Sequence, residues 1–551
     1  MGSSTNAAIV QGDRTVLLET AHPGFDDARR RLVRFAELEK APEHVHTYRL
    51  GDLALWNAAA AGVRADAVVA NLEAISRFAM PPGLADEIRE RMGRYGVCVL
   101  WDGPSAERLR LEVADDFVRQ RALGDAKLAP LLEPAGDDFL IGVRHRGLLK
   151  QRLFAIGYPV ADMAGLVDGD PLALELRGEV FEPYEYQRAA ARAFVEGGAH
   201  GVLVLPCGAG KTVIAMAAMA ELGTHTLVLV SGRAAAAQWR RELLAKTTLK
   251  EEQVAIYAGP KRSIAPVTLA TYHSVARKGG AGPTGCVHFD ALAAHPWGLV
   301  VYDEVHLLPA RMFRLTAEMQ ARRRLGLTAT LVREDGRAGE VFALIGPKRF
   351  DMPWRDLEAS GHIAAATCFE LRVPLPEDLR LPYAEATPRA RPRIAGENPA
   401  KLGALRTLVD RHEGDRLLIL GTYLEGLEAA AAVADAPLVT GKTPAREREK
   451  RYEAFRSGAI RSLALSRVGN FAIDLPEANV LIQVSGSMGS RQEEAQRLGR
   501  VLRPKPGGAT FYTIVTKDTV EQEHALHRQR FLAEQGYRYY IEEPADGPTF
   551  H

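Results

Sequence analysis

The string LPCGAGKT at 205–212 holds the residue types that grip phosphate. Gly208 and Gly210 free the backbone to curl its N–H groups around phosphate oxygens, with Ala209 between them in the same cradle. Lys211 reaches the outer phosphates, and the Thr212 hydroxyl can ligate magnesium. Leu205 stands where the pattern GxxxxGK[ST] has its first glycine. A second string, VVYDEVH at 300–306, sets two carboxylates side by side after an apolar run. Asp303 suits magnesium, and Glu304 suits a water that must be oriented or deprotonated. The third string is QRLGRVLR at 496–503, where Arg500 and Arg503 share one helix face. Cations aimed at a γ-phosphate from a second lobe act as arginine fingers.

These residues work together only if elements of structure bring them together. From about residue 198, Val/Leu/Ile-rich strands at 201–206, 226–230, 267–271, 298–304 and 324–330 alternate with helix-length segments. Such near-continuous apolar strands belong to a parallel sheet covered on both faces. A second series, at 416–421, 436–441, 462–466, 479–485 and 510–515, predicts a second lobe of the same kind. The phosphate loop and the carboxylate pair end strands of the first series, and the two arginines lie in the second. One helix there is expected to be capped by Thr443, to begin at Pro444 and to stop at Gly458. Between the series, 374–399 holds six prolines and no apolar periodicity, which predicts an exposed loop or linker.

Up to about residue 165 the chain reads differently. Helical spacing over 51–62, 64–78 and 81–96 is followed by strands at VCVLWDG and LRLEVA, and then FLIGV leads into RGLLKQRLFAIG. Helices with a small ribbon resemble a winged-helix or adaptor module. Arg144, His145, Arg146, Lys150, Gln151 and Arg152 are expected to form a basic helix start and face. Such a face can release counterions from DNA phosphates or dock on an acidic protein surface.

Composition bounds the rest. At about 150 residues per domain, 551 residues give three to four domains with well-buried cores. Hydrophobic residues are 47% and charged residues 25%, which excludes wholesale disorder and coiled coil. No apolar run approaches the roughly 18 residues of a membrane helix, and the N-terminus lacks the features of a secretory signal. Cys98, Cys207, Cys286 and Cys368 form no CxxC pair, so neither zinc nor disulfides are expected and a cytoplasmic setting fits. With 70 basic residues against 69 acidic ones, contact with nucleic acid must come from local patches.

The three strings, with LTAT at 327–330 and a second lobe, resemble a superfamily-two helicase motor. FEPYEYQ (181–187) looks like the adenine-reading segment, which makes Gln187 the base reader. SGRAAAAQWRREL (231–243) and LATYHSV (269–275) look like strand-contacting motifs, the latter carrying Thr271. The DEVH box, VREDGR (332–337), the stretch 473–505 and RQRFLAEQGY (528–537) together resemble the XPB family of DNA repair and transcription helicases. Arg333, Glu334 and Asp335 match that family's RED motif and imply a role in strand separation. Thr328, Thr330, Gln496 and Asp474 match positions that couple DNA to ATP. The resemblance covers about 170–540 closely and the N-terminal region more loosely. Asn470 stands where many relatives have Asp, and the segment matching the family's thumb insertion is the proline-rich 374–399.

The expected architecture is α/β: two RecA-like parallel-sheet lobes, 166–345 and 346–551, after an α+β accessory domain at 1–165. The expected activity is an ATP-dependent DNA helicase or translocase using ATP and Mg2+, with 3′→5′ polarity implied by the resemblance. Its DNA would be single-stranded or forked, read with weak sequence preference, and a nuclease or repair protein is the expected kind of partner. Two other readings stand beside it, a duplex remodeller that does not separate strands and the motor subunit of a nuclease complex.

Overall fold

The computed structural model describes residues 6–41, 44–105, 107–164, 168–206, 208–258, 262–279, 285–308, 312, 315, 319, 321, 323–329, 338–352, 354–362, 364–466, 478–486, 508–534, 537 and 539–543. Two compact units result. One is formed by Met1–Glu37, Thr47–Leu205 and Gly210–Asp351, the other by Leu38–His46, Pro206–Ala209 and Met352–His551.

The first unit is built on a seven-stranded parallel sheet. Its order is Val254–Tyr257, Val267–Thr271, Thr226–Val230, Leu299–Asp303, Arg323–Thr328, His200–Val204 and Lys348–Asp351. Thr226–Val230 and Val267–Thr271 are buried at every position, as a sheet covered on both faces requires. Each apolar side chain buried this way contributes about 1.5–3 kcal/mol, so the frame is rigid. Polar residues can leave such a sheet only at its edges and strand ends. Leu299–Asp303 and Arg323–Thr328 pair in register, with Asp303 opposite Leu327, and Val204 lies opposite Thr328. The ends that carry chemistry are therefore neighbours.

The second unit repeats the design in the order Leu438–Val439, Ser462–Leu465, Leu417–Leu420, Val480–Gln483, Ala509–Thr516, Ala366–Val373 and Tyr539–Glu542. All ten strands expected in the two lobes are present. Four more joined them: Val254–Tyr257, Lys348–Asp351, Ala366–Val373 and Tyr539–Glu542. Lys348–Asp351 pairs with His200–Val204, so the first sheet runs past a boundary drawn at residue 345.

Three expectations are corrected. The stretch 374–399 is largely helical, with helices Glu377–Glu385 and Arg391–Gly396. Pro392 sits in a first turn, where no N–H donor is needed. The Glu377–Glu385 helix buries none of its residues, so no apolar period could announce it. Asn398 closes the segment by donating Nδ2 to Pro374 O (3.0 Å) and Thr516 Oγ1 (3.1 Å). The helix after Thr443 begins at Ala445, with Pro444 as its cap residue, and Gly458 ends it at φ 82°. Thr443 Oγ1 instead accepts from Thr440 N (3.0 Å).

The third correction concerns the N-terminal region, which contains two small sheets. Ala8–Val10 pairs antiparallel with Thr15–Glu19 inside a four-stranded sheet accompanied by helices Asp52–Ala60, Ala65–Ile75 and Leu84–Gly93. A five-stranded sheet follows, ordered Glu133–Ala135, Asp138–Gly142, Arg108–Val113, Cys98–Asp102 and Val160–Asp162. Helix Arg146–Ala155 packs with this second sheet, and its supposed basic face turns inward. Arg146 donates to both Asp162 oxygens (2.9 and 2.8 Å) and Lys150 Nζ to Oδ2 (2.7 Å), all three residues being buried. Arg152 is paired with Asp125. Residues 146 and 150 share a helix face, and that face looks at the core, where a carboxylate awaits them. Burial brings the Lys150 ammonium down to about 8 despite Asp162. Burial likewise opposes ionisation of Asp162, yet Arg146 and Lys150 hold its carboxyl well below the usual range.

Cys98, Cys286 and Cys368 are buried and form no disulfide among the described residues, and burial pushes the Cys98 thiol up to about 12. No single described helix is long and apolar enough to cross a membrane. Removing one partner from a buried ion cluster is expensive, whereas replacing the whole cluster by apolar residues is nearly neutral. Asp162→Ala should therefore lower stability by about 3–5 kcal/mol in chemical denaturation. The triple change Arg146→Met, Lys150→Met, Asp162→Leu should lose far less. Equal losses would mean that the cluster holds the fold by some other means.

Candidate nucleotide site

The helix Lys211–Leu222 begins at Gly210, whose φ of 74° is left-handed and favours glycine. A Cβ at Gly210 would stand 2.3 Å from Gln187 Nε2, so the Gln187 amide lies against this turn. Gln187 is buried and caps its own helix, accepting from Tyr184 N (3.0 Å) through Oε1. Its Nε2 donates to Tyr186 Oη at 3.4 Å. The half-exposed Tyr184 ring stacks on Tyr186 with centroids 5.8 Å apart. The expected base reader thus abuts the phosphate loop. Upstream, Gly208 also has a left-handed φ of 87°, and Ala209 N donates to Pro206 O (3.2 Å). Thr212 follows in the first helical turn.

Glu304 follows the strand Leu299–Asp303 with φ 51° and ψ 57°, a conformation rare for a side chain of its size. Such strain is typically of order 1–3 kcal/mol and persists only where surroundings enforce it. Here the twist brings Glu304 Oε1 to 3.5 Å from Lys211 Nζ, which also faces Leu205 O at 3.5 Å. Glu304 Oε2 is buried without a hydrogen bond, with His306 Nδ1 standing 3.4 Å away.

Asp303 is held from two sides. Trp239 Nε1 donates to its Oδ2 (2.8 Å), and the Tyr272 hydroxyl donates to its backbone oxygen (2.8 Å). Burial, then the neighbouring Glu304 carboxylate, push Asp303 up to about 6, against the Trp239 hydrogen bond and the Lys211 charge. Burial, with Asp303 beside it, also raises the Tyr272 phenol well above its ordinary value. His306 Nδ1 lies 2.8 Å from Thr328 Oγ1, which joins the carboxylate strand to the strand carrying LTAT. The structure thus brings Gln187, Gly210, Lys211, Asp303, Glu304 and Thr328 into one neighbourhood.

Thr271 is placed otherwise. It is buried and caps the turn Tyr272–Val275, accepting from Ser274 N (3.2 Å) and donating to Ser274 Oγ (2.8 Å). Arg333, Glu334, Asp335, Thr330, Asn470, Asp474, Gln496, Arg500 and Arg503 lie outside the described residues, as does Cys207. Trp239, Tyr272 and His306 are site residues that sequence reasoning did not single out. Trp239 shares an inward face with Ala236 and Leu243, and a buried indole N–H needs an acceptor, which was the available signal.

Two adjacent, partly buried carboxylates, one with an unbonded oxygen, fit a divalent cation beside the start of a helix. Magnesium is the hard cation that such oxygens prefer. Without the cation, ionising Asp303 is unfavourable. A folded value near 6 against an ordinary 3.8 means that stability from this group is full below about 4 and is lost as pH rises through 6. Asp303→Asn should therefore raise the melting temperature of nucleotide-free, chelator-treated protein at pH 8 and change it little at pH 4.5. An equal gain at both pH values would overturn this account of Asp303.

Comparison with known proteins finds relatives along the whole chain. A family model described as the ERCC3/RAD25/XPB C-terminal helicase matches residues 357–546. One for the res subunit of type III restriction enzymes matches 180–333, and one for a helicase conserved C-terminal domain matches 8–135. A Mycobacterium tuberculosis protein named DNA 3′-5′ helicase XPB is 49% identical over 547 residues, covering 98% of this chain and 99% of its own. Its namesake from Kineococcus radiotolerans is 50% identical, covering 98% and 96%. The Saccharomyces cerevisiae XPB/SSL2 subunit of general transcription and DNA repair factor IIH, named a helicase/translocase, is 30% identical over 97% of this chain and 71% of its own.

Proposed function

The chain belongs to the ERCC3/RAD25/XPB helicase family, and from that membership we propose an ATP-driven motor that moves on or opens DNA during repair or transcription-related processing. The observation that carries this reading is the Lys211–Glu304 pair, 3.5 Å apart, at the start of a helix whose cap residue, Gly210, has a left-handed φ. Phosphates would seat against the backbone N–H groups at Gly208–Thr212, where the helix start favours anions. Lys211 would leave Glu304 for the outer phosphates. Released from that pair, the Glu304 carboxylate would accept a proton from the attacking water or orient it. Gln187, already against Gly210, would read the adenine from the same side.

Thr212 and Asp303 would hold magnesium, which when bound neutralises charge on the phosphates. Trp239 keeps the Asp303 carboxylate oriented for that task. Arg500 and Arg503 would complete the site from the second lobe. Thr330, Gln496 and Asp474 would pass the state of the nucleotide to DNA, together with the Thr328–His306 link. The Arg333-Glu334-Asp335 string would act on the strand itself, while the buried Thr271 would hold the turn Tyr272–Val275 in place. The polarity proposed is 3′→5′, as in the names of the bacterial relatives. Contacts in such motors run mainly to the phosphate backbone, so sequence preference should be weak. The proposed setting is the cytoplasm, with a nuclease or repair protein as partner.

ATPase rate measured on single-stranded, forked, bubble and duplex DNA tests the reading, with strand displacement beside triplex displacement. Triplex displacement without unwinding would make the protein a duplex translocase. Lys211→Ala and Glu304→Gln should both abolish turnover, while Glu304→Gln keeps its affinity for ATP. Near wild-type turnover in Glu304→Gln would remove the carboxylate from its assigned role. Arg500→Ala should reduce hydrolysis by ~10³-fold or more with a much smaller change in nucleotide affinity. A matching loss of affinity would make Arg500 a ground-state ligand.

A further inference from the structure

At the opposite end of the first sheet, where its central strands begin, three metal-ligating side chains converge. His225 immediately precedes Thr226–Val230, His295 lies four residues before Leu299–Asp303, and Asp170 lies on the segment that enters the lobe. Their ligand atoms all lie within 4.8 Å of one another. We infer that Asp170, His225 and His295 form a binding site for a divalent transition-metal ion of zinc type, about 15 Å from the nucleotide end of the same five-residue strands.

The distances suit that ion. His225 Nδ1 is 3.1 Å from His295 Nε2 and 3.8 Å from an Asp170 oxygen. Tetrahedral zinc, with bonds of about 2.0–2.2 Å, separates neighbouring ligand atoms by about 3.3–3.6 Å, a range that the two values bracket. Two imidazoles and one carboxylate also match the ligands this ion prefers over magnesium or calcium.

The three positions are fixed before any ion arrives. His225 N donates to Asp170 O (2.8 Å), Asp170 N to Pro296 O (3.3 Å) and Gly298 N to His225 O (3.0 Å). Thr224 Oγ1 donates to the backbone oxygens of Asp168 (2.9 Å) and Asp170 (3.1 Å). The chains cross so tightly that a Cβ at Gly169 would meet Gly298 N at 2.1 Å, and one at Gly298 would meet Thr224 Oγ1 at 2.0 Å. The His295 ring leans on Trp297, with centroids 4.2 Å apart, which limits its rotation. Asp168 is engaged by Arg323 (3.1 Å) and so leaves the set at three. The Asp170 side chain is 55% exposed, which leaves room for water as a fourth ligand. An ion there would pin the entering segment, Asp168–Pro171, to the starts of two central strands.

The test uses the full-length chain without an affinity tag or nucleotide, stripped by chelator and then dialysed against zinc or titrated with cobalt(II). Elemental analysis should find one zinc per chain, and cobalt should give the visible absorption of a four-coordinate site. Zinc should also raise the melting temperature. His225→Ala and His295→Ala should lose the bound ion. Asp170→Asn, which changes an exposed side chain, should melt like the metal-free wild type yet bind zinc about tenfold more weakly or worse. A wild type that takes up no zinc would leave the three residues as a hydrogen-bonded imidazole pair beside a surface acid and overturn the proposal. So would His225→Ala and His295→Ala chains that keep a full equivalent, or an Asp170→Asn chain that binds as tightly as the wild type.

Discussion

Two carboxylates set side by side at the buried end of one strand repel each other, and neither can be well hydrated there. Much around that end of the first sheet answers this constraint. Lys211 supplies the opposite charge, Trp239 donates to Asp303, Tyr272 takes up the backbone oxygen that follows, and His306 stands beside Glu304. Burial and the Glu304 charge still hold Asp303 up at about 6, so the compensation is incomplete. A site left slightly short of positive charge is one that a cation can fill.

The same problem, a charge out of water, is solved elsewhere by closing the set. Arg146, Lys150 and Asp162 satisfy one another in the second N-terminal sheet. In the second unit, the buried Lys401 donates to both Glu521 oxygens (2.7 Å each) and to Val484 O (2.8 Å). Glu521 in turn accepts from Thr516 N (3.0 Å), so the helix Val520–Glu534 is tied to the sheet it covers. These clusters pair each buried charge with an opposite one, although Arg146 Nη1 is left without a hydrogen bond. The Asp303–Glu304 end differs because it is left open.

How much could be read in advance follows from the same physics. Unbroken apolar runs announced ten strands, because burial on both faces leaves no other composition. Lys348–Asp351 and Tyr539–Glu542 escaped notice because edge strands tolerate polar residues. Ala366–Val373 escaped because Glu370 and Arg372 interrupt it, and in the fold Glu370 is buried and bonded to Arg372 Nε at 2.6 Å. Arg146 and Lys150 looked like a phosphate-binding face because their partner, Asp162, lies 16 residues beyond Arg146 on a three-residue strand. In the site, Lys211, Asp303 and Glu304 were legible from residue type and spacing. Trp239 and His306 were not, since their part depends on distant segments meeting.

Glu304 adopts a backbone conformation that glycine or asparagine would accept with less strain. At this position the polypeptide would fold more comfortably without the carboxylate it carries. With the role proposed for Glu304, heat resistance and turnover pull the residue in opposite directions. A laboratory selection for thermal survival alone, with catalysis unscreened, has an easy route through position 304, and its winners would be sturdy proteins that no longer run.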